Sequence, residues 1–344
     1  MSTPADLPVD LLTLAGWMDG QGLGTGPLHD VDLLAGGTQN ILLRFTRSGR
    51  NYVLRRPPLN KRANSDETMR REARVLAALA GSAVPRPGLI ARCDGTDVLG
   101  AAFYLMEPVD GYNPTTWQPT ALLTDLGWQR RLGFAMVEGI AALSTVDVDT
   151  PALADFGRRE GWLERQPARW RKQLDSYADI PGYPGPALPH VDAVAGWLER
   201  HRPASWVPGL LHGDCHFANV MLRHDGPELA ALVDWELTTI GDPLLDLGHL
   251  LAMWPTNQPD ESPMAPLNLP GLPTEDEIVA HYAAAGGRDI ADLPWYRVLA
   301  CYRLGIILEG SNARACAGLA TREVGDRLGR AAHALFSQAH ELTG

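Results

Sequence analysis

Two short apolar segments that each run into an acid constrain this chain more than anything else in it. Leu210-Leu211 leads into His212-Gly213-Asp214-Cys215-His216-Phe217-Ala218-Asn219, and after a turn Leu232-Val233 leads into Asp234-Trp235. Apolar runs this short, bounded by turn residues, are strand signals. Three oxygen-bearing side chains therefore gather where two strands end: Asp214, Asn219 five residues on, and Asp234 fifteen beyond that. Phosphoryl transfer needs such a set. One carboxylate must orient a hydroxyl, while an amide and a second carboxylate hold magnesium on the nucleotide phosphates.

The rest of the chain reads as a strand-rich beginning and a helix-rich remainder. Leu7, Leu11, Leu12, Leu14, Ala15 and Met18 mark a short amphipathic helix over residues 7–19. Apolar runs at 31–35, 41–45 and 52–56, separated by Gly36-Gly37-Thr38-Gln39-Asn40 and Ser48-Gly49-Arg50-Asn51, predict an antiparallel meander. Asn64 with Glu67 three residues later marks a helix start, and the helix is expected to run to about Ala80. Met69, Ala73, Leu76 and Leu79 share one face of that helix, and Glu72 falls on it too. A carboxylate on an apolar face is costly unless a cation meets it, which directs attention to the preceding strand.

Beyond about residue 119 the pattern turns helical, over 122–143, 158–174 and 191–201. Asp242-Pro243 is expected to open another helix, with Asp as cap and Pro at the first helical position. Six prolines between residues 255 and 274 predict an extended loop.

Composition narrows the class. At 344 residues, 45% hydrophobic and 21% charged, the chain is expected to be soluble and globular, with two domains or one two-lobed unit. A net charge of −11 argues against a nucleic-acid partner. Cys93, Cys215, Cys301 and Cys316 form no C-x-x-C pair and read as reduced structural thiols. The N-terminus lacks signal-peptide features and no apolar stretch reaches membrane-spanning length, so a cytoplasmic protein with no membrane partner is expected.

His212 to Asn219 carries the pattern H-G-D-x-H-x-x-N without a gap, and this string resembles the signature of the aminoglycoside/choline phosphotransferase family. The resemblance implies an α+β, two-lobed, protein-kinase-like fold. A nucleotide-binding lobe with a five-stranded antiparallel sheet would span residues 1–107, and a mostly helical catalytic and acceptor-binding lobe 108–344. It further implies Asp214 as catalytic base or orienter of the acceptor hydroxyl, Asn219 and Asp234 as Mg²⁺ ligands, ATP or GTP as co-substrate, and a small-molecule hydroxyl as acceptor. His216 stands where protein kinases often place a lysine that meets the transferred phosphate, so a phosphate contact and a loop-bracing bond are both open to it. His212 is expected to brace the loop from behind. Asp242 and Asp246 match a second signature, the first read as a helix cap and the second as support for His212.

In the first lobe the resemblance pairs a strand cation with the helix carboxylate Glu72. Alternation puts Val53 and Arg55 on one strand face, so Arg55 stands where a lysine is usual. Its planar fork can bridge carboxylate and phosphate. Val53-Leu54-Arg55 and the proline soon after are also similar to the phosphotransferase portion of acyl-CoA dehydrogenase fusion proteins. Gly37, Thr38 and Asn40 occupy the position of a phosphate-covering loop, and Glu107 and Val109 that of an adenine-binding hinge. Two other readings stay open: a nucleotide-binding regulatory protein without turnover, and a metal-dependent hydrolase using His212, Asp214 and His216 as ligands. No A-P-E closes an activation segment after Asp234, so a small acceptor is expected rather than a protein.

Overall fold

A computed structural model describes residues 7–34, 40–255, 267 and 269–344, and the chain divides into two compact units. The first spans residues 1–110 and takes back 233–236; the second comprises 111–232 and 237–344. The division falls beyond the expected 107/108 boundary, and Asp234 belongs with the first unit.

The first unit is built on five antiparallel strands: β1 (His29–Leu33), β2 (Ile41–Arg47), β3 (Arg50–Arg56), β4 (Leu89–Cys93) and β5 (Phe103–Met106), in the order β1-β2-β3-β5-β4. A two-residue turn joins β2 to β3. Its residues Ser48 and Gly49 have φ of 48° and 77°, the left-handed pair that matches the twist of a hairpin. Leu43, Phe45, Tyr52, Leu54, Phe103 and Leu105 form a core with Leu14 and Met18 of helix α1 (Leu11–Gly20). Arg47 fastens the end of β2 to that helix. Although wholly buried, it donates to the carbonyls of Ala15 and Gly26 and pairs with Asp19 at 2.5 Å.

Helix α2 (Ser65–Ala78) packs on β4 and β5, burying Met69, Glu72, Ala73, Val75 and Leu76. The helix starts where Asn64 and Glu67 place it, with Asn64 at the cap position, but without a side-chain cap. Asn64 has φ −97° and ψ 2°, not the extended backbone a cap requires, and its side chain makes no capping bond. Instead Ser65 Oγ accepts the Arg62 N–H, and Asp66 in the first turn accepts from Lys61 and from the Ala102 N–H.

In the second unit the predicted 122–143 helix is broken in two, α3 (Thr120–Thr124) and α4 (Leu126–Ser144). Asp125 between them is extended and accepts the Trp128 N–H, ending one helix and capping the next. Helices α5 (Trp162–Asp175) and α6 (Val191–Arg200) follow, then α7 (Leu244–Ala252), α8 (Glu275–Ala284), α9 (Leu293–Cys316) and α10 (Arg322–Glu341). Helix α9 is the hub, packed by α5, α6, α7 and α10. Two small antiparallel pairs complete the unit. β6 (Gly209–Leu211) pairs with β9 (Thr239–Gly241), and β7 (Val220–Leu222) with β8 (Leu229–Leu232).

Helix α7 begins one residue later than predicted, with Pro243 at the cap position; Asp242 nevertheless accepts the Leu244 N–H at 2.9 Å. All nine of its residues are buried. Gly248 permits the close approach to α9, because a Cβ there would lie 2.7 Å from the Tyr296 carbonyl oxygen. Backbone in the middle of a packed helix cannot swing aside. Gly248→Ala should therefore lower the unfolding free energy by roughly 1–3 kcal/mol, read from urea denaturation. An unchanged midpoint would mean that the two helices can separate at no cost.

Candidate functional site

In the second unit, strand β6 delivers the His212–Asn219 segment onto helices α7 and α9. Gly213 has φ 83°, and a Cβ there would sit 2.5 Å from the Leu237 carbonyl oxygen, so the turn admits glycine alone. Asp246 holds this turn from beneath. Its carboxylate accepts the His212 N–H at 2.7 Å and the Gly213 N–H at 2.8 Å, while Arg303 donates to the Gly213 carbonyl at 2.5 Å. Asp246 thus supports His212 through its backbone. Burial pushes the Asp246 carboxyl up to about 6, against the two N–H donors and Arg303.

Asp214 emerges above that anchor. The Asn219 amide nitrogen donates to both its carbonyl and its Oδ2, each at 2.9 Å. Its Oδ1 lies 3.2 Å from His249 Nε2 and 3.6 Å from His216 Nε2. Burial alone would raise the Asp214 carboxyl, but these two imidazoles hold it well below the usual carboxylate range. Burial lowers His249, with Asp214 pulling the other way.

The imidazole tautomers decide what the histidines can do. His216 accepts the Ala218 N–H at Nδ1, and His212 accepts the Asp214 N–H at Nδ1. A neutral ring that accepts at Nδ1 carries its proton at Nε2. His216 therefore turns an N–H toward Asp214, bracing the loop, and has no Nε2 lone pair to offer a metal. Two ligand-like clusters occur among the described residues, each with ligand atoms within 4.8 Å of one another: Glu72, Asp234 and Glu236 form one, and Asp214, His216 and His249, without His212, the other. The alternative His212/Asp214/His216 metal triplet is not formed.

Residues of the first unit make a second cluster. Arg55 and Tyr104 are directly opposed across β3 and β5 and share a face. Arg55 Nε lies 2.8 Å from Glu72, the Tyr104 hydroxyl donates to Glu72 at 2.7 Å, and Arg55 Nη2 donates to Asp234 at 2.8 Å. Burial opposes the Arg55 charge, but Glu72 above all, with Tyr104 and Asp234, raises its pKa. Burial raises Glu72 while Arg55 and Tyr104 draw it back, and an always-charged guanidinium at that distance makes the pair ionic. Asp234 sits at φ 65°, a left-handed conformation that Asp tolerates better than most residues.

Of the other expected site residues, Gly37 and Thr38 lie outside the described residues, and Asn40 immediately precedes β2. Val53 is buried in β3 between Arg44 and Met106. The Glu107 N–H is taken by the Gly88 carbonyl and its side chain reaches Arg50; Val109 follows in the same connecting segment. Asp242 is buried, and its carboxylate serves the start of α7. Sequence reasoning missed Tyr104, His249 and Arg303. A histidine set among the leucines of α7 is the one trace the sequence offers, and it points to His249.

The family model of the phosphotransferase enzyme family matches residues 30–299, and the chain belongs to that family. Among curated proteins it is 27% identical over 329 residues to acyl-CoA dehydrogenase family member 10 of Mus musculus, covering 93% of this chain and 30% of that protein. It is also 27% identical over 316 residues to family member 11 of Gallus gallus, covering 89% of this chain and 39% of that protein. The chain thus spans between 30% and 39% of the length of these relatives. A solved structure of a candidate aminoglycoside phosphotransferase from Ralstonia eutropha shares the fold, with a TM-score of 0.78, 28% identity, and coverage of 97% and 99% of the two chains. An ethanolamine kinase of Plasmodium vivax does so at 0.58 and 12% identity, covering 90% of this chain and 81% of its own. No helix among the described residues is long and apolar enough to cross a membrane.

The raised Asp246 carboxyl has a measurable consequence. Unfolded, the group ionises near 3.8; folded, near 6. Between those values the folded chain binds more protons than the unfolded one, so stability falls as pH rises through the window. The stability of the parent relative to Asp246→Asn should decline by on the order of 3 kcal/mol between pH 4 and pH 7, measured by urea denaturation. A difference that stays flat over that range would contradict the burial of an ionisable group at this position.

Proposed function

We propose that this chain is a small-molecule kinase that transfers the γ-phosphate of a nucleoside triphosphate to a hydroxyl of a small acceptor. The observation that carries the reading is the state of Asp214. It is a half-buried carboxylate kept ionised and turned by Asn219, His216 and His249. An anion so held can accept a hydrogen bond from an incoming hydroxyl and align its oxygen for in-line attack. Strong basicity is not required, because a loose transition state leaves the hydroxyl proton on its oxygen until late.

The donor set also suits magnesium. The Asn219 amide nitrogen is committed to Asp214, which leaves its oxygen as the ligand atom, and Asp234 offers a carboxylate; hard oxygen donors of this kind are what Mg²⁺ selects. We assign Asn219 and Asp234 as the residues that would hold it. When bound, the ion neutralises charge on the β- and γ-phosphates. Arg55, linked to both Glu72 and Asp234, fixes the direction of the Asp234 carboxylate. His216 supports Asp214 in this scheme, and His212, Asp242 and Asp246 hold the backbone that carries it. ATP or GTP is the proposed co-substrate.

Asp214→Asn keeps the shape and removes the anion. Turnover in a coupled nucleotide assay against a library of alcohols should drop by about 10²-fold or more, while Mg·ATP still raises the melting temperature. Parent-level turnover in this variant would remove Asp214 from the chemistry.

A further inference from the structure

Helix α7 places Leu244, Leu245, Leu247, Leu250 and Leu251 in the core, and among them His249 is buried with its side chain 1% exposed. An imidazole in such surroundings is costly to desolvate unless it does something a leucine cannot. Neither ring nitrogen makes an aligned hydrogen bond with a described residue, yet Nε2 stands 3.2 Å from Asp214 Oδ1. The groups facing the ring are Asp214 and His216 from the loop and Arg303 from α9, with Asp246 one turn earlier on its own helix. Burial beside the Arg303 cation keeps the ring neutral, with a single N–H, and an anionic carboxylate is where that N–H goes.

We infer that His249 is a positioning residue for phosphoryl transfer, acting through Asp214 and not on substrate. The torsion that rotates an aspartate carboxylate is broad, so the plane of the group must be set by its neighbours. Asn219 binds Oδ2 and His249 approaches Oδ1, which pins the plane at both oxygens. With His249 and His216 both facing Oδ1, it is Oδ2, taken only by Asn219, that keeps a further lone pair, and the pinned plane presents it to the acceptor hydroxyl. The inference rests on the reading of Asp214 given above.

Two measurements test it on the intact chain. The first is ¹⁵N NMR of the imidazoles, which needs neither acceptor nor turnover. His249 should carry its proton at Nε2 with Nδ1 bare, and the Nε2 resonance should move in Asp214→Asn; a ring protonated at Nδ1 overturns the inference. The second is steady-state turnover of Mg·ATP with water as acceptor. His249→Leu should lower kcat by about 10- to 100-fold with KM for Mg·ATP nearly unchanged, as loss of an outer-shell orienting partner does. His249→Gln, whose amide can bring an N–H to the same carboxylate, should recover most of the loss. A leucine variant with parental kcat, or a glutamine variant no better than leucine, sinks the idea. If the parent itself turns over no ATP, the kinase reading suffers, while the ring tautomer still decides the role of His249.

Discussion

One buried carboxylate holds the second unit's chemistry in place. Asp246 takes two consecutive backbone N–H groups, those of His212 and Gly213, at 2.7 and 2.8 Å, and Arg303 closes the same turn from its carbonyl side. Consecutive amides of a turn that passes through φ 83° point together, so one carboxylate can satisfy both. The turn is thereby tied to α7 and α9 at once, and those helices touch closely because position 248 has no side chain. A misplaced turn would carry Asp214 with it. The cost is an acid in the core whose carboxyl is raised to about 6, tolerable only because its donors remain aligned.

Much of this was legible in the sequence because it was local. The H-G-D-x-H-x-x-N spacing requires a tight turn at Gly213 and brings Asn219 back onto Asp214, five residues away, through a short 3₁₀ turn. Period-2 alternation found the face of Arg55, and period-3.6 spacing found Glu72 as an acid needing a cation; the sheet and both elements are where those patterns put them. Residues that matter through tertiary contact left weaker traces. Tyr104 reaches Glu72 because β5 lies beside β3, a pairing that no local pattern specifies. Arg303 lies within a 24-residue helix and contacts a turn 90 residues earlier. The helix start at Asn64 was legible too, but how it is held was not: the backbone before Ser65 takes a non-extended conformation, and the acid at 66 accepts from the segment leading into β5.

The arginine in β3 changes what the first unit can do with its charge. A lysine would offer one compact point charge, to be shared by whatever lies nearest. Arg55 divides its donors by geometry: Nε and Nη2 meet Glu72, and Nη2 also meets Asp234. Glu72 and Tyr104 fix the guanidinium on one side, so its plane is determined before it meets Asp234. That matters because Asp234 occupies a left-handed backbone conformation with its side chain 40% exposed, where it would otherwise rotate freely. A rigid fork can stabilise one orientation of a partly exposed carboxylate in a way that a flexible ammonium cannot. An arginine at this position therefore adds control over the carboxylate proposed to carry the metal, with Glu72, Tyr104 and Asp234 joined in one cluster around its fork.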